Sequence, residues 1–179
     1  MTGLLGFSRA VDRLTAAAGA VADWLVLAAV LISASNAAIR YLVSYSSNAW
    51  LEIQWYMFGA IVLLGASHTL RKNEHVRVDL VYSAVSDRAR LWIDIVGFVV
   101  FLLPVTIYLT YLAVPFFLQS FRQQEFSSNA GGLILWPIKL VIPVGFALLT
   151  LQGLSELIKR VAALHGDLTL DTSYEKPLQ

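Results

Sequence analysis

Four long apolar segments, separated by short polar ones, set the hydropathy pattern of this chain. Each has about the 20 residues that an α-helix needs to cross roughly 30 Å of hydrocarbon. The pattern therefore predicts an all-α integral membrane protein. It places four transmembrane helices in one domain over residues 1–165, followed by a polar tail over 166–179. The predicted spans are residues 23–43, 50–70, 91–118 and 136–158.

Two polar-apolar segments next to the spans have helical periodicity. Over residues 4–18, apolar side chains recur at steps of three and four, while Arg9, Asp12 and Arg13 lie on the other side. This pattern predicts a short amphipathic lead-in at the membrane surface. Over residues 76–85, apolar side chains again recur at helical spacing, which predicts a short surface helix between spans two and three.

The first span could be mistaken for a secretory signal peptide. The apolar segment over residues 14–39 is longer than the usual core of such a peptide, which has about 7–15 residues. It contains Asp23 and Asn36 and ends at Arg40-Tyr41, without a clear cleavage site. We therefore expect a first span that is retained.

Composition supports the membrane assignment and narrows the chemistry. The 179 residues are 58% hydrophobic and 14% charged, against about 45–50% and about 25% in soluble domains. A net charge of +1 gives no reason to expect binding to nucleic acid. The chain has no cysteine and only three histidines, which leaves little material for a metal or haem site. We therefore expect no cofactor and no metal, and composition gives no sign of catalytic residues.

The positive charges are distributed unequally between the two ends of the predicted bundle. Of the 13 Lys and Arg residues, only Arg40, Arg122 and Lys139 lie at the end opposite the termini. Short cytoplasmic segments carry an excess of Lys and Arg. The bias therefore predicts that both termini are cytoplasmic.

Glu52 and Asp23, two of the acidic residues within the predicted spans, each allow two interpretations. Glu52, near the start of span two, could carry a proton or a cation, because intramembrane carboxylates are often functional. It could also be an interfacial group that stays hydrated or pairs with a partner protein. Its position one turn before Trp55 and Tyr56 favours the second interpretation. The same reasoning applies to Asp23, which we expect near the opposite boundary.

The most polar segment of the spanning region lies between spans two and three. It places four ionisable residues close together beside the predicted cytoplasmic membrane surface: Glu74, His75, Arg77 and Asp79. Contact with lipid phosphates would explain the basic residues, but the acidic ones weaken binding to anionic lipid. A protein docking surface and a solvated loop both stay open on these residues alone. His68 lies seven residues before His75, but the charged surroundings of His75 argue against a haem pair.

Three sequence features occur together in a characteristic order. Arg40-Tyr41 ends the first span, Trp50-Leu51-Glu52 opens the second, and residues 70–79 close it. With four spans and this length, the set resembles the small membrane subunit, the Q-type permease component, of tripartite ATP-independent periplasmic (TRAP) transporters. Residues 73–82 and 127–139 are similar to the branch labelled mannitol/chloroaromatic or 2-oxo-acid. Many relatives have a second acidic residue where this chain has Ile53.

The resemblance implies a role within a three-part uptake system in the inner membrane of a bacterium or archaeon. A periplasmic substrate-binding protein would deliver an organic acid to a large multi-span permease subunit, which carries it with sodium ions. The small subunit would be a non-catalytic scaffold among membrane lipids, contacting both partners. Besides the four cytoplasmic residues named above, the periplasmic candidates for partner contact are Arg40, Trp50, Glu52, Arg122 and Asn129. Proteins of other classes with this pattern would be an oxidoreductase membrane anchor or a small self-sufficient exporter.

Overall fold

The computed structural model describes residues 2–75, 85–166 and 168, and it contains four long helices. They are α1 (Thr2–Val43), α2 (Asn48–Lys72), α3 (Asp87–Gln123) and α4 (Trp136–Leu164). All four are long and apolar enough to cross a membrane, which confirms the prediction of an all-α four-span protein. The surface helix predicted over residues 76–85 lies almost entirely outside the described residues.

The predicted lead-in and the first span form one continuous helix, α1. Residues 16–22 join them with a run of Ala, Gly and Val that contains no proline, and alanine is the strongest helix former. At about 1.5 Å per residue, the 42 residues extend over about 63 Å, roughly twice the thickness of the hydrocarbon. The first turns of α1 therefore extend beyond the length that a membrane span needs.

Helix α3 contains one irregular segment. A π-helical turn over Gly97–Leu102 lies between the α-helical parts Asp87–Val96 and Leu103–Gln123. Pro104 follows this turn directly and has no backbone N–H to donate to the preceding turn. A wider turn at this place accommodates the missing donor without ending the helix. Pro115 and Pro143 also lie inside helices that continue through them.

Helix α4 lies at the centre of the arrangement and packs against the other three helices, while α1 pairs with α2. Two glycines of α4 allow close approach. A Cβ atom on Gly145 would lie 2.7 Å from the Cβ of Leu63 on α2. A Cβ atom on Gly153 would lie 2.5 Å from a methyl group of Leu102 on α3. Small residues at such contacts are typical of helices that associate within membranes.

The two ends of the bundle differ in their side chains. We call the end that holds Asp12, Arg71 and Lys159 the charged end, and the opposite end, with the connections 44–47 and 124–135, the loop end. Between them, α1 and α3 expose large apolar side chains, as helices facing lipid do. These side chains include Trp24, Val30, Leu31, Phe101, Tyr108 and Tyr111.

Candidate functional site: the two ends of the bundle

At the loop end, Glu52 organises the connection between α3 and α4. It lies one turn into α2 and is only 3% exposed. One carboxylate oxygen accepts hydrogen bonds from the Ser127 hydroxyl and from Asn129 Nδ2, the latter at 2.7 Å. The other oxygen accepts from the backbone N–H of Leu133 at 2.7 Å. Glu52 therefore binds three groups of this chain's own connection.

Gly132 lets the connection approach Glu52 so closely. A Cβ atom at this position would lie 2.6 Å from the Cβ of Ser127 and 2.9 Å from a carboxylate oxygen of Glu52. Both distances are shorter than real Cβ contacts allow. A larger residue at position 132 would push the connection away from the carboxylate.

Backbone hydrogen bonds give the connection a hairpin shape, which we call the loop-end hairpin (residues 124–135). Phe126 and Ile134 form an antiparallel bridge. The Ser127 N–H donates to the carbonyl of Leu133 at 2.9 Å, and the Leu135 N–H donates to the carbonyl of Glu125 at 2.8 Å. The hairpin therefore has a defined backbone in addition to its contacts with Glu52.

Side chains of α2 and α4 attach the loop-end hairpin to the bundle. Asn48 Nδ2 donates to the carbonyl of Ala130 at 2.9 Å, and the Tyr56 hydroxyl donates to that of Ile134 at 3.2 Å. Glu125 forms an ion pair with Lys139, and this hydrogen bond holds the pKa of the Glu125 carboxyl below its usual range. These contacts hold the hairpin at its base, through Glu125 and Ile134, and near its tip, through Ala130.

The structure separates the predicted loop-end residues into two groups. Arg40, Trp50, Arg122 and Asn129 are exposed and remain candidates for contact with a partner protein. Glu52 is buried beneath the hairpin, so it positions surface groups such as Asn129. Its hydrogen-bonding partners lie 75 or more residues away in the chain, which is why local sequence reasoning did not find them.

At the charged end, Asp12 joins α1 to α4. One of its carboxylate oxygens accepts hydrogen bonds from Lys159 Nζ at 2.8 Å, Gln152 Nε2 at 3.0 Å and the Ser155 hydroxyl at 3.3 Å. We had expected Asp12 on the outer side of an amphipathic lead-in. It lies instead in the contact between the first and last helices.

The network continues from Asp12 across α4 to α3. Glu156 accepts hydrogen bonds from Lys159 at 2.8 Å and from Arg160 Nη1 at 2.6 Å. Arg160 Nε also donates to Asp94 of α3 at 2.7 Å, and its guanidinium lies 4.7 Å from the centre of the Phe98 ring. The ion pairs therefore connect three helices.

Uncharged residues of α1 extend this network. The hydroxyls of Ser8 and Ser155 lie 2.6 Å apart, and Thr15 donates to the Gln152 side-chain oxygen at 2.9 Å. All four side chains are at most 2% exposed. We call the whole set the charged-end cluster; its members are Ser8, Asp12, Thr15, Asp94, Gln152, Ser155, Glu156, Lys159 and Arg160.

The sequence contains a signal for the charged-end cluster. Polar residues recur at helical spacing on α1, at positions 8, 12 and 15, and on α4, at 152, 155, 156, 159 and 160. Two polar stripes at the ends of apolar helices predict that the stripes face each other. We had concentrated on the apolar stripe of residues 4–18, but Leu4, Phe7 and Leu14 of that stripe are exposed.

The predicted cytoplasmic candidates lie at the edge of the described region. Glu74 and His75 are exposed just beyond α2, where the Glu74 N–H donates to the carbonyl of Thr69 at 3.2 Å. Arg77 and Asp79 lie outside the described residues. Within residues 2–75, 85–166 and 168, no three His, Cys, Asp or Glu side chains form a group that could hold a metal ion.

Comparison with known proteins identifies the family. Residues 29–163 match the family model described as "Tripartite ATP-independent periplasmic transporters, DctQ component". Neither the curated proteins nor the solved structures gave a significant match. The matched region covers the last third of α1 and all of α2, α3 and the loop-end hairpin, as well as α4 almost to its end. The family is one of transporter components, and with four apolar helices it implies an inner-membrane protein. The chain therefore belongs to the DctQ component family of TRAP transporters, which is the family that the sequence resembles.

Proposed function

We propose that the chain is a non-catalytic small permease subunit that supports a large multi-span carrier subunit. In this role it helps to receive a periplasmic substrate-binding protein during the sodium-coupled uptake of an organic acid. The observation that carries the proposal is the loop-end hairpin, which Glu52 holds in place from below.

The proposal requires the loop-end hairpin to face the periplasm. The distribution of Lys and Arg supports this orientation, because among the described residues only Arg40, Arg122 and Lys139 lie towards the loop end. Both termini would then be cytoplasmic. A substrate-binding protein would meet the exposed side chains of the loop end, including Arg122, Phe126 and Asn129.

A fixed hairpin is suited to receiving another protein. A loop that becomes ordered only on association loses conformational entropy, and this loss weakens binding. A loop that is already ordered avoids it. Glu52 accepts three hydrogen bonds from the hairpin, and Asn48 and Tyr56 make two further contacts. These five side-chain contacts would hold the surface in one arrangement before the binding protein arrives.

The charged-end cluster supports a scaffold role. Its side chains donate hydrogen bonds to and accept them from one another, and its ion pairs connect α1, α3 and α4. Sliding one of these helices would break several charge-assisted hydrogen bonds at once. The bundle is thus suited to remain fixed while a neighbouring subunit moves. Glu74 and His75, with Arg77 and Asp79, are our candidates for a cytoplasmic contact with the large subunit.

Variants of neighbouring serines test the role of the loop-end hairpin. Ser127→Ala removes a donor to Glu52, while Ser128→Ala changes an adjacent exposed residue that makes no contact with Glu52. We expect Ser127→Ala and Glu52→Ala to weaken binding of the substrate-binding protein to the purified permease and to slow uptake. Ser128→Ala should resemble wild type. Wild-type binding and uptake in both Ser127→Ala and Glu52→Ala would reject the role that we assign to the hairpin.

Alanine substitutions at the charged end test the second contact. Glu74→Ala, His75→Ala, Arg77→Ala and Asp79→Ala should reduce co-purification of the large subunit if these residues form its cytoplasmic contact. Arg88→Ala, at an exposed position at the start of α3, is the control. Unchanged co-purification and uptake in all four variants would remove this contact from the proposal.

A further inference from the structure

Asp23 of α1 is an exposed acidic residue on a membrane-spanning helix. In the described part of the chain it forms no ion pair and no side-chain hydrogen bond. Asp12, on the same helix, has three partners. The carboxylate of Asp23 therefore has no polar side chain of the described residues to compensate its charge.

Contacts between helices show how deep Asp23 lies. Lys159 Nζ is 2.8 Å from Asp12, and Arg71 Nη1 donates to the Asp12 carbonyl at 3.4 Å, so these three residues mark the level of the charged end. Asp23 follows Asp12 by eleven residues, which is about 16 Å along α1. The hydropathy pattern predicts Asp23 near the membrane boundary; in the structure it lies three helical turns further along α1 than the residues of the charged end.

Helix α2 gives a second measure of this depth. A Cβ atom on Gly65 would lie 3.9 Å from the Cβ of Ala22, the neighbour of Asp23. Gly65 precedes Arg71 by six residues, or about 9 Å along α2. Measured along α1 or along α2, Asp23 therefore lies further from the charged end than Asp12 and Arg71 do. An ionised carboxylate facing acyl chains at such a depth is costly.

Asp23 lines a groove between α1 and α2 with a volume of about 560 Å³. At the depth of Asp23 its walls are apolar or small, formed by Ala22, Val26, Val62, Gly65 and Ala66. Val62 is 68% exposed, so the groove opens to the side of the bundle. Small residues along a groove allow another helix to approach closely.

The basic groups nearest to this groove do not neutralise Asp23. His68 also lines the groove, but its Nδ1 lies 3.4 Å from Arg71 Nη2, and its ring packs against Gly19. Lys72 and His75 lie at the mouth of the groove, Lys72 seven residues beyond Gly65, about 10 Å along α2, and His75 beyond the end of that helix. A phospholipid amine would stay at about the level of Lys72 and would not reach Asp23.

We propose that a transmembrane helix of the large permease subunit covers this groove and places a Lys or Arg side chain beside Asp23. This inference rests on the proposed function, because it takes the large subunit as the partner. The unpaired carboxylate selects a basic partner, and the small residues around it select a closely packed helix. A bound pair removes both charges from contact with lipid.

The absence of cysteine from the chain allows the groove to be probed directly. Single cysteines at Val26 and Val62 would carry nitroxide labels in the groove. A label at Leu112, an exposed residue of α3, is the control on another face. Leu112 lies at a similar depth to Val62. It follows Leu102, which contacts Gly153, by ten residues, and α3 runs antiparallel to α4, so Leu112 is near the height of Gly145. Gly145 in turn contacts Leu63, the neighbour of Val62.

The readout is the accessibility of each label to oxygen dissolved in the lipid. In nanodiscs holding this chain alone, all three labels should be accessible. When the large subunit is present, Val26 and Val62 should lose accessibility and Leu112 should keep it. Unchanged accessibility at Val26 and Val62 in an assembled complex would overturn the inference and leave the proposed function standing. Failure of the wild-type chain to bind the large subunit would overturn both.

Charge substitutions test the chemistry of the contact. Asp23→Lys should lose co-purification with the large subunit, and Asp23→Asn should retain part of it, because an amide still accepts a hydrogen bond. Replacing the matching intramembrane Lys or Arg of the large subunit by Asp should restore assembly with Asp23→Lys. Wild-type co-purification of Asp23→Lys, from a variant that is itself monodisperse, would refute a basic partner.

Discussion

The charged-end cluster predicts a large loss of stability when Arg160 is replaced by leucine. Arg160 is 6% exposed and forms ion pairs with Glu156 at 2.6 Å and Asp94 at 2.7 Å. The substitution keeps an apolar stem against Phe98 but removes the cation between two carboxylates. Removing one partner of a buried ion pair typically costs about 3–5 kcal/mol, because the remaining charge stays buried.

The structure places the expected value within this range. Each charge-assisted hydrogen bond contributes about 1.5–3 kcal/mol, and Arg160 makes one to each carboxylate. Glu156 keeps Lys159 as a partner, which limits the loss on that side. We therefore expect Arg160→Leu to lower the free energy of unfolding by about 4 kcal/mol. The free energy of unfolding of Arg160→Lys should lie between those of Arg160→Leu and wild type. Lysine keeps the positive charge, but its ammonium lacks the planar guanidinium that contacts both carboxylates.

The assay is reversible unfolding in mixed micelles, followed by tryptophan fluorescence. Arg88→Leu is the matched control, since Arg88 is an exposed residue of α3. Surface substitutions of this kind usually change stability by less than about 0.5 kcal/mol. A loss for Arg160→Leu no greater than that for Arg88→Leu would show that the network contributes no net stability, and our account of a fixed scaffold would lose its main support.

Two other predictions follow from the packing and the loop-end ion pair. Gly145→Ala should destabilise the bundle by about 1–3 kcal/mol, because the new methyl group would meet both the side chain and the backbone of Leu63. Gly6→Ala, where nothing lies within 4 Å, should be neutral or stabilising in the same unfolding assay, and equal effects of the two would contradict the packing. The hydrogen bond from Lys139 lowers the pKa of Glu125 in the folded protein. The stabilisation from this pair is therefore complete above the pKa of an unfolded glutamate, about 4.3, and is lost as pH falls through the lower pKa of the folded state. A spin label at Ser128 should therefore gain mobility in wild type as pH falls below the unfolded value of about 4.3. In Glu125→Gln the same label should already be more mobile at neutral pH and should gain less on acidification, because only the Glu52 carboxylate still holds the hairpin. Identical profiles in the two proteins would contradict the role of the pair.

The sequence was sufficient to predict the fold because the bilayer imposes simple requirements. A span needs about 20 apolar residues, and four such segments are present. The resemblance carried by Trp50, Glu52 and the segment after span two was also confirmed, by the family match over residues 29–163. These features are local in sequence, so they can be found without knowing how the helices pack.

The polar contacts were harder to predict because they join distant parts of the chain. Glu52 and Leu133 are 81 residues apart, and Asp12 and Lys159 are 147 apart. Asp23 is the first charged residue of the apolar segment, so the hydropathy pattern alone predicts the membrane boundary near it. Helix α1 continues far beyond it, and the charged level lies near Asp12. Only the packing of α1 on α2 and α4 shows that Asp12 is paired within the chain, whereas Asp23 has no partner among the residues that the structure describes.

The central claim is that this chain supports and completes a transporter without carrying substrate itself. Its most direct test is uptake of a radiolabelled organic acid into proteoliposomes under an inward sodium gradient, with the substrate-binding protein outside. We expect uptake when the large subunit and this chain are both present, and none when either is omitted. Uptake by this chain alone, or full uptake by the large subunit without it, would contradict the account.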